Sequence, residues 1–142
     1  MVPGAGMFCS NRAFFNEQGE LSYFQGVGID ITERKQMEEK LNYLATTDIL
    51  TELWNHRYIM QAVPRELEKA HRYNDHFFSL LMLDIDYFKE INDQHGHDAG
   101  DQVLAYVGDV IKGELRQVDI AGRYGGEEFV VILPQTDNNG AY

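Results

Sequence analysis

Ile120-Ala121-Gly122-Arg123-Tyr124-Gly125-Gly126-Glu127-Glu128-Phe129-Val130-Val131-Ile132-Leu133 is two apolar runs joined by a glycine corner, which predicts a tight β-hairpin turning at Gly125-Gly126. A second run, Phe77-Phe78-Ser79-Leu80-Leu81-Met82-Leu83, follows Asn74-Asp75 and stops at Asp84-Ile85-Asp86. Its unbroken apolarity predicts a strand buried on both faces. Alternation sends Glu127 and Glu128 to opposite sides of the sheet, so one of them can meet Asp84 if the hairpin pairs beside this strand. Two carboxylates brought together in that way repel unless a hard divalent cation lies between them. Taken alone, a Gly-Gly-acid turn better suits an ordinary hairpin with solvated acids.

On either side the hydrophobic period becomes helical. Between the strand and the hairpin, an acidic, glycine-bearing loop leads into a helix expected from about Asp101 to Leu115, with Val103, Leu104, Val107, Val110 and Ile111 inward. The loop after Asp84 is not an EF-hand, because Phe88 stands at the third ligand position and Lys89 where the glycine is required. Upstream, His56 to Tyr73 carries Ile59, Val63, Leu67 and Ala70 on one stripe and Pro64 as an expected kink. Nearer the start, Ala13-Phe14-Phe15, a turn at Asn16 to Gly19, and Leu21 to Ile29 read as a hairpin. Asp30 or Thr32 then caps a helix whose Met37, Leu41 and Leu44 form a narrow apolar seam on a charged rod. The seam suits a surface helix or a short parallel coiled coil equally, since one heptad does not separate the two.

Composition bounds these readings. At 142 residues and 16.3 kDa the chain is one domain, or one domain with an appendage. Twelve Lys and Arg against 23 Asp and Glu give a net charge of −11, which disfavours coating nucleic acid or an anionic membrane. Acidic chains still bind anionic nucleotides, because carboxylates hold the divalent cations that escort a triphosphate. The single cysteine, Cys9, cannot form an internal disulfide and fits a reducing, cytoplasmic compartment. No stretch approaches the roughly 20 apolar residues of a spanning helix, so any membrane anchor lies outside this segment.

Four strings together resemble the GGDEF family of diguanylate cyclases in order and spacing. They are Thr47-Asp48-Ile49-Leu50-Thr51-Glu52-Leu53-Trp54-Asn55-His56-Arg57, Asp84-Ile85-Asp86-Tyr87-Phe88-Lys89-Glu90-Ile91-Asn92-Asp93, Gly96-His97-Asp98-Ala99-Gly100-Asp101 and Arg123-Tyr124-Gly125-Gly126-Glu127-Glu128-Phe129. The last is the GGEEF form of the signature. Two departures fall in the first string: Glu52 where the family usually has Gly, and His56 where it usually has Arg, with effects expected on packing rather than chemistry.

The resemblance implies an α+β fold with a central, mainly antiparallel sheet flanked by helices, as in the nucleotidyl-cyclase and polymerase palm. An N-terminal β-hairpin and a linker helix would precede it. It implies condensation of two GTP into cyclic di-GMP and pyrophosphate by a sensor-regulated homodimer. Asp84, the main-chain carbonyl of Ile85, and Glu127 would hold Mg²⁺ or Mn²⁺. Glu127 would also help deprotonate the attacking ribose hydroxyl, and Lys89 would stabilise phosphate charge. Asn92 and Asp101 would read the guanine edge, with His97 a weaker substrate contact; the other reading of Asn92 and Asp101 is as caps of the following helix. Gly125, Gly126, Glu128 and Phe129 complete the signature turn.

Arg116-Gln117-Val118-Asp119 is similar to the family's RxxD product-inhibition motif, in which Arg116 and Asp119 would grip cyclic di-GMP. Gly26 to Lys35 resembles the closing strand and exit signature of a PAS sensor domain. The organisation expected is therefore 1–32 as a PAS remnant, 33–46 as a signalling helix and 47–142 as a catalytic domain whose C-terminal elements are missing. Two other readings stay open: a non-catalytic receptor for GTP or cyclic di-GMP, and a PAS-linked signalling adaptor.

Overall fold

A computed structural model of the chain describes residues 7–73, 76–137 and 140; the expected boundary at Asn74-Asp75 lies outside them. The chain divides into two compact units, Met1–Tyr43 and Leu44–Tyr142. In the first, β1 (Met7–Phe15) pairs antiparallel with β2 (Leu21–Asp30). Asn16 closes their turn by accepting from the amides of Gln18 and Glu20 at 3.0 and 2.8 Å, and Phe14 stacks on Tyr23. β1 begins well before the expected Ala13. Helix α1 (Thr32–Thr46) starts where Asp30 Oδ1 accepts from the Thr32 amide at 2.8 Å. None of its residues is buried, and Met37, Leu41 and Leu44 all lie exposed.

The second unit contains α2 (His56–Arg72), β3 (Phe78–Asp84), α3 (Phe88–His95), α4 (His97–Glu114), β4 (Ile120–Gly125) and β5 (Glu128–Pro134). Its sheet has the order β3-β5-β4 with both pairings antiparallel. The sequence signal of β5 explains the layering. Phe129 and Val131 face one way, into a core with Phe88 of α3 and Leu104 of α4. Val130 and Ile132 face the other way, against Ile59 and Ala62 of α2. Because successive side chains of a strand alternate, an all-apolar strand is the one that carries a helical layer on each face. Burial of each such side chain contributes about 1.5–3 kcal/mol.

Several expectations are corrected. β3 is an edge strand rather than one buried on both faces: Leu80 and Met82 are 47% and 54% exposed. On that face α2 packs chiefly over β4 and β5, and of β3 only Phe78 joins the cluster with Ile59 and Ala62. The acidic segment after Asp84 is the helix α3 rather than a loop, and α4 begins at His97, ahead of Asp101. The buried face of α2 is Ile59, Ala62 and Glu66, so Leu67 is exposed. Val110 of α4 also faces outward.

The Thr47–Trp54 segment occupies the outer edge of β4. The Trp54 amide donates to Ala121 O at 3.1 Å and Trp54 O accepts from the Arg123 amide at 2.9 Å, forming a parallel bridge to Gly122. A glycine is needed at 122, because a Cβ there would lie 2.5 Å from Trp54 O and 2.4 Å from Ile59 Cγ1.

Candidate active site

The β3–β5 register pairs Asp84 with Glu128. Residues facing each other across an antiparallel pair share a side of the sheet. Glu128 is thus the acid directly opposite Asp84, while Glu127 lies just outside the strand, in the turn with Gly126, so the alternation expected for the two glutamates does not set its direction. Asp84, Ile85, Glu127 and Glu128 therefore end up at one end of the sheet, where Asp84 is exposed and the two glutamates are partly buried. The chain leaves β3 through Asp86 and Tyr87, whose φ of 59° lies in the left-handed region. That reversal starts α3 immediately past the carboxylates. Among the described residues Ile85 O accepts a long bond of 3.3 Å from the Phe88 amide, and a carbonyl has a second lone pair for another partner. Lys89 lies on the first turn of α3, exposed.

Among the described residues no group of three metal-ligating side chains converges. Two carboxylates and a carbonyl are nevertheless a donor set that suits magnesium, which usually keeps water and takes one or two carboxylates plus substrate phosphates rather than a protein-only cage.

The signature turn is braced from the first sequence string. Arg123 Nε donates to Gly126 O at 2.8 Å, and Arg123 Nη1 reaches Asp48 Oδ2 at 3.5 Å. Asp48 is itself fixed: its Oδ1 accepts from the Thr51 amide and hydroxyl at 3.0 and 2.8 Å. Gly126 has φ +53°, a conformation glycine adopts without steric cost. Sequence reasoning quoted Arg123 and Asp48 within motifs but gave neither a role; an arginine two residues before a double glycine was the available signal. The two departures from the family pattern are also explained. Glu52 sits at φ 53°, where glycine is the easy residue, and pairs with Lys112 at 2.9 Å. His56 packs edge-on against Tyr124 with ring centroids 4.7 Å apart.

Asn92 and Asp101 do not cap α4, because Gly96 is its N-cap residue and supplies no side-chain bond. Instead Asn92 packs from α3 against Gly100 of α4, next to Asp101. His97 is the first residue of α4 and exposed.

Arg116 and Asp119 stand together in the turn before β4. Asp119 Oδ2 accepts from the Arg116 amide at 2.8 Å and from its Nε at 3.1 Å, while Arg116 Nη2 donates to Thr136 at 2.6 Å. Asp119 is 2% exposed at its side chain, and its Oδ1 is buried without a hydrogen-bond partner among the described residues.

The family model described as "Diguanylate cyclase, GGDEF domain" matches residues 45–142. The chain belongs to the GGDEF family. A diguanylate cyclase of Vibrio cholerae serotype O1 is 39% identical over 118 residues, which is 83% of this chain and 36% of that protein. DgcM, a diguanylate cyclase of Escherichia coli K12, is 41% identical over 108 residues, 75% of this chain and 26% of that one. The chain therefore spans about a third or less of the length of these relatives. The coiled coil and GGDEF domain of DgcB from Caulobacter crescentus, solved in complex with c-di-GMP, superposes with a TM-score of 0.72 at 35% identity. That match covers 77% of this chain and 56% of the DgcB chain. The α+β architecture with an antiparallel sheet is that of these GGDEF domains.

Proposed function

We propose that this GGDEF chain carries the catalytic machinery of a diguanylate cyclase, joining two GTP into cyclic di-GMP with release of pyrophosphate. The observation that carries this reading is the β3–β5 register, which gathers Asp84, Ile85, Glu127 and Glu128 at one sheet end beside the start of α3. Asp84, the Ile85 carbonyl and Glu127 would hold Mg²⁺, or Mn²⁺ in its place. When bound, the cation neutralises charge on the triphosphate, the main demand of nucleotidyl transfer. Glu127 assists removal of the proton from the attacking 3′-hydroxyl. Lys89 extends from the first turn of α3 toward phosphate oxygens, and the bareness of Gly125 and Gly126 lets the triphosphate approach the backbone. Asn92 and Asp101, with His97 at the margin, read the guanine.

Regulation follows from the other parts. Arg116 and Asp119 are read as a product-inhibition site for cyclic di-GMP, in which the 58% exposed Arg116 meets the ligand and the buried Asp119 holds its guanidinium. The unburied Met37, Leu41 and Leu44 seam of α1 supports a homodimer, which the reaction needs because each site binds one GTP. The hairpin β1–β2 running directly into α1 supports its reading as the end of a PAS sensor. Among the described residues no helix is long and apolar enough to cross a membrane. A cytoplasmic site of action, with neither nucleic acid nor membrane as partner, accords with the net charge of −11.

The test is incubation with GTP and Mg²⁺, followed by chromatography for cyclic di-GMP. Product is expected from the unaltered chain and none from Glu127→Gln. Binding of GTP without any product from a folded dimer would refute the catalytic reading.

A further inference from the structure

The packing of α3 on α4 turns on a side chain that is missing. A Cβ at Gly100 would stand 2.0 Å from Asn92 Oδ1, 2.9 Å from Asn92 Cγ and 3.1 Å from Phe88 Cζ. The Asn92 amide therefore fills the space that any other residue at 100 would take. Its Oδ1 is buried and has no hydrogen-bond partner among the described residues. A buried acceptor without a partner costs stability and calls for a specific explanation. With the Oδ1 end enclosed, Nδ2 is the other polar end of the amide, and Asp101 is the residue that follows Gly100 on α4.

We propose that Gly100 is a specificity-determining positioning residue: its bare Cα is the seat that fixes the Asn92 amide with its donor toward the purine. This rests on the reading of Asn92 and Asp101 as base contacts. The chemistry is one of donor and acceptor order. At the 6-position guanine offers the O6 acceptor where adenine offers the N6 donor, so a donor held facing that position pairs with guanine alone. A free asparagine amide turns over and presents either end, so it would serve both bases; a seated one presents a donor only. A side chain at 100 unseats the amide while sparing the backbone, since the atoms it meets first belong to the tip of a flexible side chain.

The experiment is calorimetric binding of GTP and of ATP, each with Mg²⁺, to the full chain and to Gly100→Ala, Asn92→Ala and the double variant. Melting curves and the NMR signals of the Asn92 side-chain amide are recorded without nucleotide. Gly100→Ala is expected to weaken GTP about tenfold, the size of one hydrogen bond lost with its partner left unpaired. ATP binding should not weaken, because the freed amide can turn its acceptor to the adenine, so the GTP/ATP ratio falls, which a general loss of structure would not cause. The double variant should bind GTP no more weakly than Asn92→Ala. Melting should stay cooperative, the helix gain of alanine offsetting part of the crowding at Asn92 and Phe88, and the Asn92 amide signals should shift. A wild-type ratio in Gly100→Ala beside a lost ratio in Asn92→Ala overturns the seat. A wild-type ratio in Asn92→Ala itself overturns the base-contact reading on which the seat depends. Unshifted amide signals in Gly100→Ala overturn the packing argument directly.

Discussion

Two glycines of α4 allow a comparison in which helix propensity cancels. Replacing either Gly108 or Gly113 by alanine removes backbone freedom from the unfolded chain and gains about 0.5–1 kcal/mol. At Gly113 the new Cβ meets nothing within 4 Å, so the gain stands whole. At Gly108 it lies 2.9 Å from both Thr51 Cβ and Thr51 O, and Thr51 is only 1% exposed. Overpacking of that kind costs about 1–3 kcal/mol. Moving Thr51 also disturbs its two bonds to Asp48 Oδ1, for about 1 kcal/mol more. Gly108→Ala should therefore lose about 1–3 kcal/mol net and stand about 2–4 kcal/mol below Gly113→Ala. The single tryptophan, Trp54, stacks on Tyr58 within the second unit, so its fluorescence during urea titration reports on that unit. The two midpoints should move in opposite directions at constant slope. Equal shifts of the same sign would refute the claim that α4 is seated on Thr51 through Gly108.

Three further outcomes follow from the same geometry. Arg123→Lys keeps the charge facing Asp48 but loses the fork that also holds Gly126 O, so initial rates of cyclic di-GMP formation should fall about tenfold or more. Adding Asp48→Asn should cost little beyond that, and fully additive losses would show that the two residues act separately. Burial pushes the Glu66 carboxyl up, but hydrogen bonds from Lys69 and His76 outweigh it and hold the carboxyl below its usual range. The unfolded chain then binds the proton more readily, so the stability Glu66 contributes is present at neutral pH and drains as pH falls below about 4.5. Stability curves of Glu66→Gln should be lower at pH 7 and flatter on the acid side, and a slope identical to that of the unaltered chain would exclude Glu66 as the source. Asp84→Asn should weaken Mg²⁺-dependent GTP binding without lowering the melting temperature, because Asp84 is exposed and removing it relieves repulsion facing Glu128; a lower melting temperature would show a structural role instead.

What the sequence determined on its own was local. The two glycines between apolar runs specify the β4–β5 hairpin, and the order of the four strings specifies the family, because turn chemistry and side-chain alternation act over a few residues. Periodicity did not reveal that Leu80 and Met82 of β3 stay exposed, since an apolar run looks the same whether one face or both are covered. It also missed α3, whose polar surface resembles a loop, and it rotated the buried face of α2 by counting Leu67 where Glu66 is buried among its partners. Only the tertiary structure decided that Glu128 rather than Glu127 stands opposite Asp84, that Arg123 braces Gly126 against Asp48, and that Asn92 rests on Gly100. Each of these joins residues distant in sequence through strand register or helix packing, and no single segment contains the distance that makes the contact.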